Sequence, residues 1–469
     1  MTSPCFSLRL PSLSLALFLS TLPLSPVQAD EKKGDLISGS LANRYEFQTT
    51  SDETDHDLED FITVNLGHPQ FDRISAAIHG GIITDLDGYQ DGSVFSDIYN
   101  TFPRPVVGRI YDAYVHVQDL DLVDHVRFGR QRLYRLDTHF FDGISLETVS
   151  LSGFTISAFA GSPVHLYENE WGMDPGDWTA GGSLQWDPIS PLRFRFDFSH
   201  ISDDASAFRA SGEDLEDNLL GASVWVTAGK HVELYSRFTS FTDQPRDLEG
   251  SAALSFPEQK FTVRLSAYRL LVVQDIRVVD WDAFSLAGSY RPYTQVMATL
   301  TKGFGEKFSV DAGFALRLLD AWQEASAFNH GFRRYFLTLA TDDLLLKNFN
   351  LDATLDYYQG QDNELRNDNV GTSFSAAKKF LISRNTAAKK EGGKKKKRSR
   401  RYLGLRGGTS YYLYRYNLST GDESTDVQTY FGEVQWDMME HVKLRGSYEF
   451  EDNDQGDFQT VTVKTTWDF

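Results

Sequence analysis

Alternation of apolar and polar residues is the dominant pattern along this chain. In the segment 192–199 (LRFRFDFS), a leucine and three phenylalanines fall on one face, and two arginines and an aspartate fall on the other. Successive side chains of a β-strand point to opposite faces, so this segment predicts a strand with one apolar and one polar face. Similar segments recur at intervals of about twenty residues from end to end. Clear examples lie at residues 261–268, 308–318, 349–358 and 442–450.

The connections between these segments alternate between short and long. Short turns are predicted at residues 67–70, 187–191, 228–231 and 256–259, and longer acidic connections at 49–57, 85–106, 162–177, 202–218, 359–369 and 417–425. We count 23 candidate strands, but two chain ends on one side of a membrane require an even number. Assignments made from the two ends disagree between residues 282 and 331, so we predict 22 strands, with 24 and 20 as alternatives.

The first 29 residues have the composition of a signal peptide. Arg9 precedes a leucine-rich run at residues 10–24, and Val27 and Ala29 are the small residues expected before a cleavage site. Cys5 is the only cysteine and lies within this segment. The mature chain is therefore expected to have no disulfide, no thiolate metal site and no covalently attached haem.

The mature chain is predicted to cross a membrane with strands. No later stretch contains the roughly 18 consecutive apolar residues of a membrane helix. A barrel strand needs only about 9–11 residues, of which every second one is apolar. A ring of strands also accommodates the remaining 440 residues without a linker. We predict an all-β fold, a single transmembrane antiparallel β-barrel over residues 30–469 with both termini in the periplasm.

The segment 457–469 (DFQTVTVKTTWDF) resembles the closing strand of Gram-negative outer-membrane β-barrels. Val463, Thr465, Trp467 and Phe469 share one face, and a final aromatic residue in this alternation serves such proteins as the signal for the barrel-insertion machinery. The resemblance implies location in the outer membrane, beside lipopolysaccharide. A TonB-dependent transporter would need a folded plug before the first strand, and the sequence predicts none.

The segment 126–143 contains GRQ near one strand end and FDG leading into the next strand. This pattern resembles porin-like channels of Gram-negative bacteria, including alginate-export-like barrels, in which arginines line the path. The resemblance implies pore-lining roles for Arg127, Arg130 and Arg132. Strict alternation would place Arg130 and Arg132 on the face opposite Arg127, unless a bulge at Gly129 returns them to the lumen. The alternative is structural, with these arginines paired to carboxylates such as Asp137 or Asp142.

The formal net charge of −20 is opposed by one basic segment. The acidic remainder argues against nucleic-acid binding, and agrees with acidic external loops near cation-bridged lipopolysaccharide. The basic segment lies in a predicted periplasmic loop, residues 383–401. Two interpretations stay open, a docking arm for an acidic periplasmic protein or a solvated insertion. Its cations are Lys389, Lys390, Lys394, Lys395, Lys396, Lys397, Arg398, Arg400 and Arg401.

The polar faces of the predicted strands supply candidate pore-lining charges. At about 22 strands a barrel interior is wide enough for water or a plug. We therefore expect a porin or channel for passive diffusion of small hydrophilic solutes or ions, with inward charges that bias ion entry. Loop 85–106 would either fold inward or pack on the external rim, and we favour the inward position. The candidate charges are Arg193, Arg195, Arg264, Asp311, Arg317, Asp352, Lys443 and Arg445.

Catalytic, metal and cofactor chemistry is not expected. The eleven histidines form no HxxxH or HExxH pair. Ser199 and His200 lie at a predicted strand end, and no further group of a triad converges on them. We predict no enzymatic activity, no metal and no cofactor. The alternative function is that of a barrel sheath in a trans-outer-membrane porin–cytochrome electron conduit, with haem carried by a partner protein.

Overall fold

The computed structural model describes residues 36–69, 71–88, 95, 105–136, 138–164, 177–203, 215–241, 244–272, 274–275, 289–320, 331–343, 346–360, 368–384, 400–416, 423–454 and 456–469. The predicted signal peptide lies outside these residues, as does most of loop 85–106. The strands, in chain order, are β1 (Ile37–Thr49), β2 (Thr54–Leu66), β3 (Ile74–Asp85), β4 (Val106–Leu120), β5 (Val123–Tyr134), β6 (Thr138–Thr148), β7 (Phe154–Pro163), β8 (Trp178–Ile189), β9 (Leu192–Asp203), β10 (Leu215–Ala228), β11 (Val232–Phe241), β12 (Pro245–Phe256), β13 (Phe261–Leu270), β14 (Gln274–Asp275), β15 (Ser289–Tyr290), β16 (Tyr293–Phe304), β17 (Phe308–Leu319), β18 (Phe332–Asp342), β19 (Phe349–Gly360), β20 (Asp368–Arg384), β21 (Arg400–Tyr416), β22 (Glu423–Asp437), β23 (Val442–Asn453) and β24 (Gly456–Asp468).

Twenty-two of these strands form one closed antiparallel sheet, which confirms the predicted fold class and strand number over the described residues. Each strand pairs with its neighbour along the chain, and β1 closes the ring by pairing with β24, from Ser40 opposite Asp468 to Thr49 opposite Gln459. The strands β14 and β15 pair only with each other, in the connection between β13 and β16. The strand β15 falls in the interval 282–331, where strand assignments made from the two chain ends disagreed.

The two faces of the sheet differ as the alternation predicts. Phe196 and Phe198 are 53% and 44% exposed, whereas Asp197 between them is 8% exposed. The same periodicity places exposed leucine, isoleucine, valine and aromatic side chains on the outer face of most strands. The inner face carries serine, threonine and charged residues, several of them buried. The barrel is therefore apolar outside and polar inside.

The connections divide into two sets at opposite ends of the barrel. At the end that holds the start of β1 and the end of β24, which we call the turn end, most connections are short, such as the 3₁₀ turn Pro257–Gln259. The other end, which we call the loop end, holds most of the longer connections. The predicted long connection 49–57 is only four residues, 50–53, because β1 and β2 extend as a regular hairpin. The predicted basic loop 383–401 joins β20 to β21 at the turn end, and both strands extend into its predicted bounds, to Arg384 and from Arg400.

Aromatic residues cluster where strands reach the turn end. Phe154 and Trp186 stack with ring centroids 5.7 Å apart, and Trp467 and Phe469 lie 5.6 Å apart. Belts of aromatic residues at the two ends of the apolar band are typical of transmembrane barrels. No helix among the described residues is long and apolar enough to cross a membrane.

Candidate functional site

The inner wall of the barrel carries a continuous row of hydrogen-bonding and charged residues that ends at a phenylalanine. Each member of the row lies directly opposite the next member on the neighbouring strand. Such rows run across strands that tilt relative to the barrel axis, so this row climbs from the turn end of β8 to the loop end of β18. The row consists of Gln185, Arg195, Ser223, Arg237, Glu249, Tyr268, Gln295, Arg317 and Phe332.

Ion pairs and stacking fix the arginines of this row. Arg195 donates to Asp197 at 2.7 Å, and Arg237 lies 3.1 Å from Glu249. Arg317 donates to the amide oxygen of Gln295 from both Nε and Nη2, at 3.1 and 3.0 Å. Its guanidinium carbon lies 4.3 Å from the ring centroid of Tyr293. These contacts hold the charged groups in defined positions along the inner wall.

The tip of the β5–β6 hairpin folds against the inner wall. Leu136 is buried, and its side chain lies close enough to Gly221 on β10 that a Cβ there would clash with it. Arg135 donates to the hydroxyl of Ser183 on β8 at 3.4 Å and lies 3.7 Å from Glu147. The hairpin tip therefore reaches across the strands between β6 and β10, and it narrows the interior where Arg135 lies.

Three glycines permit this inward bend. Gly129, Gly143 and Gly161 lie directly opposite one another on β5, β6 and β7. Gly129 has a φ of 118°, a conformation that residues with a Cβ rarely adopt. An ideal Cβ on Gly143 would lie 2.1 Å from the carbonyl oxygen of Ala160, and one on Gly161 would lie 2.4 Å from that of Asp142. The strands thus approach each other more closely here than side chains would allow.

The GRQ segment, residues 129–131, pairs residue by residue with the FDG segment, residues 141–143, on the adjacent strand. Arg130 donates to both carboxylate oxygens of Asp142, at 2.8 and 2.7 Å, and to the carbonyl oxygen of Ile110 at 3.2 Å. Gln131 accepts from the hydroxyl of Ser145 at 2.6 Å. The pairing of these segments stabilises the base of the inward hairpin tip.

The three arginines of this segment occupy different faces. Arg127 lies on the inner face and donates to His116 at 3.2 Å. The register runs through Gly129 without a shift, so Arg130 and Arg132 share the face of Phe128, which is 49% exposed. No bulge returns them to the face of Arg127. The pairing of Arg130 with Asp142 is the structural alternative that the sequence left open, and Asp137 lies outside the described residues.

The other candidate pore-lining charges lie on the inner face and most have a polar partner there. Arg193 pairs with Asp187 at 2.9 Å, and Asp311 accepts from Thr301 at 2.5 Å. Arg264 shares the inner face with Tyr268 on β13. The role of these candidate charges in a pore stays a prediction. The remaining contacts are Asp352 with Ser375 at 3.4 Å, Lys443 with Asp468 at 3.1 Å and Arg445 with Glu433 at 2.7 Å.

Two inner-face cations that the sequence did not predict, Arg44 and Lys464, lie beside the predicted Arg445. Arg445, Lys464 and Arg44 lie directly opposite one another on β23, β24 and β1. Arg44 pairs with Glu46 and with Glu59, the latter at 3.1 Å. The β23–β24 hairpin places Arg445 beside Lys464, and closure of the ring adds Arg44 from the first strand. The sequence signal that could have identified Arg44 and Lys464 is their position on the polar faces of the first and last strands, which meet when the ring closes.

Loop 85–106 is described at residues 85–88, 95, 105 and 106. Phe95 is buried, and its ring meets that of Phe458 edge-on at 6.2 Å. Phe458 shares the inner face of β24 with Lys464. Inward folding of the rest of this loop stays a prediction.

Three possible metal ligands lie close together near the turn end. Single ligand atoms of Asp124, His125 and Glu147 fall within 4.8 Å of one another. Glu147 already lies 3.7 Å from Arg135. A neighbouring guanidinium opposes the binding of a divalent cation, so these residues fit an ion-pairing role better than a metal site.

Comparisons with known proteins give matches only among solved structures. No protein-family model matches the chain, and no curated protein matches it. A BenF-like porin from Pseudomonas fluorescens Pf-5 is similar at 12% identity and a TM-score of 0.44, over 92% of this chain and 98% of that one. The outer membrane protein opdK from Pseudomonas aeruginosa is similar at 9% identity and a TM-score of 0.43, over 92% and 98%. OccK8 (OprE) from Pseudomonas aeruginosa is similar at 11% identity and a TM-score of 0.45, over 94% and 99%.

Proposed function

We propose that this chain is an outer-membrane channel for passive diffusion of small hydrophilic solutes or ions. The observation that carries the proposal is the opposite character of the two faces of one closed 22-stranded ring. A ring of this size is too wide for its own side chains to fill. The apolar outer face suits lipid, and the charged inner face suits an aqueous path.

The inward tip of the β5–β6 hairpin is the proposed narrow point of the path. Arg135 there lies beside Glu147, with Arg195 and Asp197 close enough to act on its charge. Charges of both signs at such a point create a field across the path and bias which ions enter. Removal of one charge should therefore change ion preference.

The surroundings of the barrel form part of the proposal. The apolar outer face would lie in the outer membrane, with the turn end and both termini in the periplasm and the acidic loop end beside lipopolysaccharide. The face of Val463, Thr465, Trp467 and Phe469 would be recognised by the barrel-insertion machinery. The basic segment would extend into the periplasm, where an acidic protein is its proposed partner. All of that segment except Arg400 and Arg401 lies outside the described residues.

The test is electrical. The mature protein would be refolded, inserted into a planar bilayer, and its single-channel conductance and reversal potential measured across a salt gradient. We expect steady openings. We also expect Arg135→Ala to raise conductance about 1.5- to 2-fold and shift the reversal potential toward cation preference. Arg333→Ala is the matched control, because Arg333 is exposed on the outer face.

The outcomes separate the possibilities. Folded, heat-modifiable protein that never opens would contradict the channel. A channel whose conductance and ion preference are the same with and without Arg135 would contradict the hairpin tip as its narrow point. The alternative, a sheath for an electron-carrying partner, would need room in the lumen that the hairpin tip occupies, so the observations favour the channel.

A further inference from the structure

A polar pair interrupts the apolar outer face at the middle of two adjacent strands. Asn43 and Asp60 are each the central residue of a 13-residue strand, and they lie directly opposite each other. The side-chain amide of Asn43 donates to the carboxylate of Asp60. Both side chains are half-buried.

Two registers place this pair on the outer face. Asp60 alternates in phase with Leu66 of its own strand and lies opposite Ile82 of β3. Leu66 and Ile82 are both exposed apolar residues. Asn43 lies opposite Thr465 of β24, which alternates in phase with the exposed Val463 and Trp467. Independent strands on both sides therefore assign the pair to the apolar side.

This position is unusual for a carboxylate. Over the part of the chain that the structure describes, the other charged residues in phase with the outer face lie near strand ends, on the inward-folded hairpin or, in the case of Lys378 on the long strand β20, opposite Phe349 at the turn-end start of β19. Arg269 and Lys302 are examples near strand ends. A charged side chain on the lipid face destabilises a barrel most at the bilayer midplane. Ionisable residues at that depth generally have a polar partner and a function.

We propose that Asn43 and Asp60 form the centre of an interface with a second copy of this chain. The argument is one of complementarity. A two-fold axis normal to the membrane, passing between β1 and β2, places β1 of one copy against β2 of the other at the same depth. Asn43 of each copy then faces Asp60 of its partner. The second N–H of each amide then donates to the partner's carboxylate, so the two amides use all four of their N–H donors, two within the copies and two between them.

The neighbouring outer face suits close approach of another surface. Gly446 and Gly108 lie on β23 and β4, each two strands from the polar pair, and a Cβ added to either would meet no atom within 4 Å. Thr465 and Gly446 are small, and small residues allow membrane-embedded surfaces to come together. The proposal requires that the barrel lies in a membrane, but it does not require that the barrel conducts.

The two-fold geometry makes a specific cross-linking prediction. Leu41 lies directly opposite Ile62, one outward position from the polar pair. The proposed axis places Leu41 of one copy against Ile62 of the other. In a Cys5→Ser background, differently tagged Leu41→Cys and Ile62→Cys chains would be mixed in lipid vesicles at low protein density and oxidised. We expect the mixture to form disulfide-linked dimers more readily than either variant alone.

A control and a second pair of variants complete the test. Leu234 on β11 is an exposed outer-face residue on another part of the wall, and Leu234→Cys should cross-link only at background level. Adding Asn43→Leu and Asp60→Leu to the mixture should lower dimer yield about five- to tenfold, from the loss of the polar contacts between copies. Heat modifiability would confirm that the variants are folded.

Three results would overturn the proposal. The first is cross-linking of the Leu41→Cys and Ile62→Cys mixture no greater than that of Leu234→Cys. The second is a yield that the two leucine substitutions leave unchanged. The third is that the same cysteines, tested in native membranes, capture a different protein instead of a second copy, as judged by the mass of the adduct.

Discussion

The inward bend of the β5–β6 hairpin should depend on the absence of a side chain at Gly143. An ideal Cβ there would lie 2.1 Å from the carbonyl oxygen of Ala160 and 2.6 Å from the Cα of Gly161. Both contacts are with backbone atoms, and both fall about 1 Å or more short of ordinary van der Waals separation. Gly143→Ala therefore requires β6 and β7 to move apart, and rotation of a side chain cannot relieve the clash.

The size of the effect follows from overpacking. Forcing an extra methyl group into a filled site costs about 1–3 kcal/mol, and the contact with two backbone atoms places Gly143→Ala near 3 kcal/mol. Gly432→Ala on β22 is the matched control, because a Cβ there would meet nothing within 4 Å. That control should be neutral or stabilise the strand by about 0.5–1 kcal/mol. The two variants should thus differ by about 3–4 kcal/mol in the free energy of unfolding.

Two assays check this prediction. Urea-induced unfolding in lipid vesicles would measure the free-energy difference between the variants. Single-channel recording would show whether Gly143→Ala releases the hairpin tip, in which case larger and less regular openings are expected. If Gly143→Ala and Gly432→Ala unfold within 0.5 kcal/mol of each other, the close approach of β6 and β7 does not determine the bend, and the reasoning fails.

Three further predictions concern other parts of the barrel. Replacing Arg44, Lys464 and Arg445 together by glutamine should shift the reversal potential toward cation preference, whereas an unchanged potential would place this group away from the ion path. Arg130→Ala should lower the free energy of unfolding in urea by about 2 kcal/mol, which is less than for a fully buried ion pair because the carboxylate partner is partly exposed. Arg130→Lys should restore only part of this free energy, since a lysine cannot bind the carboxylate bidentately. Phe469→Ala should reduce barrel assembly in cells several-fold while leaving refolding in detergent nearly unchanged, and equal losses in both would assign the residue a structural role.

The strand pattern was predictable because it depends only on local alternation. In β9 the phenylalanines and the charged residues separate cleanly, and the structure places them on opposite faces. The strand number was also recoverable, since an antiparallel ring with both ends on one side must be even. Strand assignments made from the two chain ends disagreed between residues 282 and 331, an interval that contains β15, which pairs with β14 outside the ring.

The inward hairpin tip was not predictable from the pattern. Its bend requires Gly129, Gly143 and Gly161 to meet on three strands, and the register between strands is a long-range property. The facing of Arg130 likewise depends on whether the register shifts at Gly129, which alternation alone leaves open. Asp60 was missed for a related reason, because a run of mixed acidic residues in β2 conceals which carboxylate points outward.

The width of the ring explains why the hairpin tip should determine selectivity. A charge influences a passing ion strongly only within about 8 Å at physiological ionic strength, and an unobstructed 22-stranded interior leaves much of its cross-section beyond that range of the wall. The tip adds a second layer of chain on the inner wall, in which Arg135 lies beside Glu147 and Ser183, and this layer narrows the interior there. In the proposed channel, solutes would then pass within reach of these fixed charges. Charges elsewhere on the wall would guide ions toward this point, and the largest change in ion preference is expected from substitutions at the tip.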